Sequence, residues 1–201
     1  RPTVRRVIEH VRLIQDVDLS YPILLGADGR VMDGIAAFKA PMVARALRRQ
    51  GAQVTAFASA EALRYVTRDT LEWSTANRVV VELTAEAEHL SDSAPFDVYL
   101  VAPASANTIA KVAHGIADTP VTATLASALG RTEQGRAALL WAPTMHGSMH
   151  TTVLVENLRR LHASGCVVIP PRDAYGKHNL PDEQVLVQAC AAAYAALGAR
   201  H

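Results

Sequence analysis

The sequence predicts an α/β fold built on a doubly wound parallel sheet, and three observations carry that prediction. From Gly34 onward, short apolar runs alternate with amphipathic stretches of about ten to fifteen residues, the spacing of strands joined by crossover helices. The runs at 97–102, 137–142 and 166–169 are apolar at nearly every position, as strands covered on both faces are. Gly51, Gly115 and Gly165 each follow a helical stretch where a C-terminal cap belongs.

The elements follow in order. Residues 3–14 carry Val4, Val7, Ile8, Val11 and Ile14 at helical spacing with Arg5, Arg6 and Arg12 between them, and predict an amphipathic helix. An apolar run at 21–25, the turn Gly26-Ala27-Asp28-Gly29 and then Arg30-Val31-Met32 predict a small hairpin. The expectation is an N-terminal helix-hairpin appendage over 1–32 and one α/β domain over 33–201. In that domain 36–49 reads as a helix, 53–58 as a strand, and 61–66 as the start of the next helix. Residues 78–83 begin apolar and β-branched. Pro95 and Pro103 bound the strand at 97–102, and 108–114 is helical up to Gly115. Strands at 137–142 and 166–169 enclose a helix over 152–163, and 182–197 is the last helix.

Composition narrows the function. Of 201 residues half are hydrophobic, enough for a sizeable core, and 20 Lys+Arg against 19 Asp+Glu leave a net charge of +1. That balance argues against nucleic-acid binding by the chain as a whole. Two cysteines, Cys166 and Cys190, offer neither a disulfide framework nor a Cys-rich zinc site. No leader-like segment opens the chain and no apolar run reaches the roughly 18 residues of a membrane span, so a soluble, cytoplasmic protein is expected.

In sheets of this kind ligands sit beyond the carboxyl ends of the strands. Those ends carry Ser59, Pro103-Ala104-Ser105 and Pro143-Thr144-Met145. The richest is Ala102-Pro103-Ala104-Ser105-Ala106-Asn107-Thr108, where proline stops the strand and small residues admit a ligand. Ser, Asn and Thr there supply polar groups at a helix N-terminus. Ser105 or Asn107 either holds a phosphate or carbonyl-rich ring or simply caps the helix.

The stretch Pro103-Ala104-Ser105-Ala106-Asn107-Thr108 resembles the PASANT motif of the homo-oligomeric flavin-containing cysteine decarboxylases. Gly34-Ile35-Ala36-Ala37-Phe38-Lys39 is similar to that family's first phosphate loop, and Pro143-Thr144-Met145-His146-Gly147-Ser148-Met149-His150 to its third signature. The resemblance covers roughly residues 34–181. It implies a Rossmann-like, flavodoxin-like domain that binds FMN at a subunit interface of a trimer, or of trimers assembled into a dodecamer. The implied reaction is flavin oxidation at the thiol-bearing carbon of a cysteine, followed by decarboxylation. His89 falls where the family's catalytic base lies, and Asn107 and His146 are the further catalytic candidates. Gly34, Ile35, Ser59, Ala104, Ser105, Thr122 and Met145 would hold the flavin, and Met145, His146 and Lys177 the substrate.

Several positions depart from the family pattern. His146 replaces an asparagine that grips the substrate carboxylate, His150 replaces a tryptophan, and Asp33 takes the place of a loop glycine. The late clamp at 172–181 lacks the cysteine of the coenzyme A branch, which reduces the enethiol there, and this favours the branch that modifies peptides. The leading expectation is an FMN-dependent decarboxylase of a peptide C-terminal cysteine, yielding an aminoenethiol for a natural product. The alternatives are phosphopantothenoylcysteine decarboxylase of coenzyme A biosynthesis, a flavin-binding partner protein without decarboxylation, and a ParB-like module fused to a degenerate flavoprotein, since 18–34 resembles a ParB-like strand-turn-strand.

Other signals have plain readings. Arg45, Arg48 and Arg49 read as a solvated helix face and Cys166 as a small core residue. His114 and His162 read as helix C-terminal residues suited to the dipole. His146 and His150 are spaced for one helix face, yet Gly147 and the lack of an acidic residue between them speak against a metal. Lys177 and His178 could clamp a carboxylate or phosphate, or serve solubility.

Overall fold

Residues 98–104, apolar without interruption, form a strand buried on both sides and flanked by two others. The computed structural model describes residues 10–15, 39–90, 96–174 and 177–199. Its strands are β1 (His10–Gln15), β2 (Gln53–Ala58), β3 (Val98–Ala104), β4 (Ala138–Pro143), β5 (Met145–His146), β6 (Val167–Val168), β7 (Arg172–Ala174) and β8 (Lys177–Asn179). Five make a wholly parallel sheet in the order β2-β1-β3-β4-β6. The other three make an antiparallel sheet in the order β5-β8-β7.

The helices are α1 (Ala40–Arg49), α2 (Arg68–Thr75), α3 (Ala106–Ala113), α4 (Pro120–Glu133), α5 (Thr152–Ala163) and α6 (Glu183–Gly198). Because successive strand residues point to opposite faces, β3 feeds two cores. Val98, Leu100 and Ala102 pack with Leu47, Leu71 and Leu186 beneath α1, α2 and α6. Tyr99, Val101 and Ala104 pack with Ile109, Leu125 and Leu161 beneath α3, α4 and α5. Burying one such leucine contributes about 1.5–3 kcal/mol, so the central strand anchors both layers.

Local chemistry sets the helix ends. Pro120 opens α4 behind Thr119, whose hydroxyl accepts from the Thr122 amide at 3.1 Å while the Thr122 hydroxyl accepts from the Thr119 amide at 2.9 Å. The Thr151 hydroxyl caps α5 through the Leu154 amide at 3.3 Å. Past the other end of that helix, Gly165 at φ +87° allows the chain to reverse into β6.

Two expectations need correction. Residues 10–14 of the expected N-terminal helix belong to a strand, His10–Gln15. It pairs with β2 (His10↔Gln53) and with β3 (Val11↔Val98), so the described part of 1–32 belongs to the sheet. The apolar residues of Val11-Arg12-Leu13-Ile14 fit a helical stripe and a buried strand equally well. Tertiary pairing decides for the strand. The expected hairpin at 21–32 lies outside the described residues, as do Asp33, Gly34 and Ile35. Second, the arginine face of α1 is not merely solvated. Arg45 stacks over the Trp73 ring at 4.6 Å, and Arg48 donates to the Ser74 carbonyl at 3.2 Å.

Candidate functional site

The strand order reverses between β1 and β3. β1 leads through α1 to β2 on one side, and the chain then returns to build β3, β4 and β6 on the other. Ligands of doubly wound sheets settle at this switch point, beyond the carboxyl ends. Ser59, Ala104-Ser105 and Thr144-Met145 all stand at that edge, directly after β2, at the end of β3 and after β4. The edges of β3 and β4 are tied together where the Thr144 amide donates to the Ala104 carbonyl at 3.1 Å. The Ala102–Pro103 peptide is cis.

The hydroxyls at this edge are engaged in local structure. The Ser59 hydroxyl accepts from the Ala62 amide at 3.2 Å and starts a short helical turn. Ser105, almost fully buried, caps α3 by accepting from the Thr108 amide at 3.2 Å, and its oxygen lies 3.0 Å from the Thr108 hydroxyl. Of the two readings open for Ser105, the cap is therefore realised. Asn107 follows on the exposed side of the first turn. Thr122 is buried inside its capping box, with its hydroxyl also 3.3 Å from Asp118 Oδ1. The nearby Lys111 amine joins that carboxylate at 2.8 Å and, as the main cause, holds its pKa below the ordinary value. Thus α3 and α4 present well-formed N-termini, where positive dipole ends favour an anionic group.

His89 follows a segment that leaves the sheet beside β2. Val80 bridges Phe57 in parallel, its carbonyl accepting from the Ala58 amide at 3.0 Å, so the chain leaves the outer flank of β2 at the carboxyl end. The following turn is clamped by one carboxylate. Glu88 accepts from the Thr84 amide at 2.9 Å and from the Thr84 hydroxyl at 2.7 Å. These two donors, the amide first, hold the Glu88 carboxyl below its usual range. Ala87, at φ +51°, sits between bonds to Thr84 and Leu90. His89 is half-buried beside it, with an Nδ1 that is buried and has no hydrogen-bond partner among the described residues. Thr84 and Glu88 were missed in the sequence. The signal available was a Thr four residues before a Glu, directly ahead of the candidate base.

On the β4 side, Met145 is buried in the second core and pairs across the small sheet with His178, while His146 stands opposite Lys177. The third signature and the late clamp are thereby joined through backbone. His146 and His150 do not share a helix face. His146 caps the short helical turn Gly147–Met149 and His150 ends it, and no group of His, Cys, Asp or Glu among the described residues is arranged to hold a metal.

His114, His162 and the two cysteines serve local structure. His114 caps α3, its Nε2 lying 3.0 Å from the Asn157 side-chain oxygen. His162 Nδ1 lies 3.1 Å from the Cys166 carbonyl oxygen. Burial pushes the Cys166 thiol up to about 11 and the Cys190 thiol up to about 12. A cleft of about 500 Å³ opens between the N-termini of α1 and α6, lined by Lys39, Met42, Leu180 and Pro181 among others.

A parallel sheet of this order, with the N-terminus of α3 directly after the end of β3, is the kind of scaffold that holds a phosphate-bearing cofactor. The family model described as Flavoprotein matches residues 16–195, and the chain belongs to that family. It is 34% identical over 190 residues to the coenzyme A biosynthesis bifunctional protein CoaBC of Thermococcus kodakarensis, covering 90% of this chain and 45% of that protein. The CoaBC protein of Mycolicibacterium smegmatis is 35% identical over 145 residues, covering 70% of this chain and 33% of that one. The chain thus spans less than half the length of these relatives. Among solved structures, the FMN-dependent cysteine decarboxylase SpaF superposes with a TM-score of 0.71 at 23% identity, covering 98% of this chain and 99% of that one. The peptidyl-cysteine decarboxylase EpiD gives 0.71 at 19%, covering 90% and 97%. These likenesses show a shared fold.

Proposed function

We propose that this chain binds FMN and oxidatively decarboxylates the C-terminal cysteine of a peptide, releasing an aminoenethiol. The donor set suits the cofactor. The N-termini of α3 and α4 suit its phosphate and polar ring edge, and the unpartnered His89 Nδ1 faces no competing bond among the described residues. Gly34, Ile35, Ser59, Ala104, Ser105 and Met145 belong to that flavin site, with Thr122 contributing through its place at the start of α4. When bound, the flavin takes two electrons from the substrate and converts its thiol carbon to a thioaldehyde. The bond to the carboxylate then breaks, its electron pair passes toward sulfur, carbon dioxide leaves, and protonation gives the enethiol. His89 serves as the base or proton shuttle, and Asn107 completes the catalytic set. His146 and Lys177 hold the carboxylate before it leaves.

The observation that carries the peptide reading concerns the cysteines. In the coenzyme A branch of the resemblance a clamp cysteine helps reduce the enethiol, and the cysteines of this chain are Cys166 and Cys190. Both are at most 1% exposed and both are held protonated by burial. On this reading the reaction stops at the enethiol. The second reading, phosphopantothenoylcysteine decarboxylation, is favoured by the 34% identity to a CoaBC protein over 90% of the chain.

We further propose a homo-oligomer, a trimer or a dodecamer of trimers, acting in the cytoplasm. No helix among the described residues is long and apolar enough to cross a membrane, and a fold neighbour is described as a dodecameric FMN-dependent decarboxylase. The test incubates flavin-loaded protein with a Cys-terminated peptide and, separately, with phosphopantothenoylcysteine. Loss of the mass of formic acid from the peptide supports the first reading, and turnover of the small substrate alone supports the second. If neither changes, both fail and a flavin-binding partner protein is left.

A further inference from the structure

His146 occupies a capping position that favours Asn, Asp, Ser or Thr. Its Nδ1 lies 3.3 Å from the Ser148 amide nitrogen, which donates to it, and 2.8 Å from the Ser148 hydroxyl. An amide can only donate, so Nδ1 of the neutral ring is the acceptor and the proton resides on Nε2. The hydroxyl, facing the same lone pair, donates as well. An asparagine in this place would divide its roles in the same way. Its side-chain oxygen would accept from the turn amide, and its NH₂ would remain as donor.

We propose that Ser148 is a positioning residue that fixes His146 as an Nε2–H donor toward the substrate carboxylate. The imidazole thereby reproduces the acceptor-and-donor division of a carboxamide. The inference rests on the reading that His146 holds the carboxylate.

Two measurements separate this inference from the reading beneath it. The first needs no substrate. Nitrogen-15 NMR of the flavin-loaded protein near pH 8 reads the His146 tautomer, assigned by comparison with His146→Asn. Nδ1 resonating as the unprotonated nitrogen and Nε2 as the protonated one supports the lock, and an Nδ1–H tautomer overturns it whatever the enzyme does. The second follows decarboxylation of a Cys-terminated peptide. His146→Asn keeps acceptor and donor, and its KM stays within about threefold of the parent. His146→Asp keeps the capping acceptor, so the turn is retained, but it has no donor and sets a like charge against the carboxylate. Its KM rises more than about tenfold. Ser148→Ala raises KM with little change in kcat, and Ser148→Thr restores it. Equal KM values for the Asn and Asp variants would overturn the donor role. A parent protein that turns over no cysteine substrate, with the expected tautomer present, refutes the functional reading and leaves the lock standing.

Discussion

Thr122→Val separates two roles that one hydroxyl could play. The substitution preserves shape and removes the oxygen that accepts from the Thr119 amide at 2.9 Å, contacts the Thr119 hydroxyl at 2.9 Å and reaches Asp118 at 3.3 Å. The converse bond, from the Thr122 amide to the Thr119 hydroxyl, survives. Thr119 is half-buried, so water can reach the amide left without its partner. The cost is then that of half a capping box, about 1 kcal/mol. For a chain of this size that lowers the unfolding midpoint by about 2–4 °C. The assay is thermal unfolding of the flavin-free protein alongside titration of FMN followed by fluorescence. If the hydroxyl serves the helix and the α4 N-terminus serves the phosphate, the midpoint falls while the FMN Kd moves less than about threefold. An unchanged midpoint with a Kd weakened about tenfold or more would refute the reasoning and make the hydroxyl a direct flavin ligand.

Three further outcomes are expected. His89→Asn keeps its flavin spectrum and loses turnover; an active variant removes His89 as base. Cys166 and Cys190 resist a thiol alkylating reagent at pH 8 in the folded protein and react fully in denaturant, since a thiol at about 11 is about one-thousandth thiolate there. Rapid labelling of the native protein would end the argument that the reaction stops at the enethiol. Glu88 has a folded-state pKa below its ordinary value of 4.5, so its clamp on Thr84 is fully present above that pH. The clamp is lost as pH falls through the lowered folded value. Amide exchange at Ala87 and Leu90 accelerates in that acid window, and in Thr84→Ala it is already fast at pH 7.

How much of this was legible in the sequence depended on the range of the interactions involved. Helix α5, written 152–163 from the sequence, has those bounds, because Thr151 and Gly165 mark its ends by chemistry local to the chain. Strands β3 and β4 were legible because a doubly covered strand is apolar throughout. β1 was not, since its few apolar residues satisfy either period and its partners lie about 40 and 90 residues away. At the site, the motif residues fell at the strand ends, but nothing in their spacing decided between cap and ligand for Ser105 or revealed that Thr122 spends its hydroxyl on a capping box. Ser148 escaped notice for a similar reason. Its importance comes from one rotamer and one turn, and neither leaves a periodic trace.

The topology leads to one more test, of the oligomer. His89 enters from outside β2 and His146 follows β4, with β1 and β3 between. That is four strand spacings, about 19 Å at the level of the sheet, a long span for two groups acting on one cysteine. If the working site instead joins His89 of one subunit to His146 of its neighbour, the two defects complement. His89→Asn is inactive alone, and His146→Asp is slowed more than about tenfold at peptide concentrations well below KM. Coexpressed in equal amounts, they assemble at random, and about a quarter of the interfaces unite an intact His89 with an intact His146. Decarboxylation of the Cys-terminated peptide then returns to about a quarter of the parent rate. Sites built within single chains would each carry one defect, and mixing would restore nothing. Absence of recovery in mixed oligomers shown by mass to contain both variants would place both histidines in one chain and refute the shared interface.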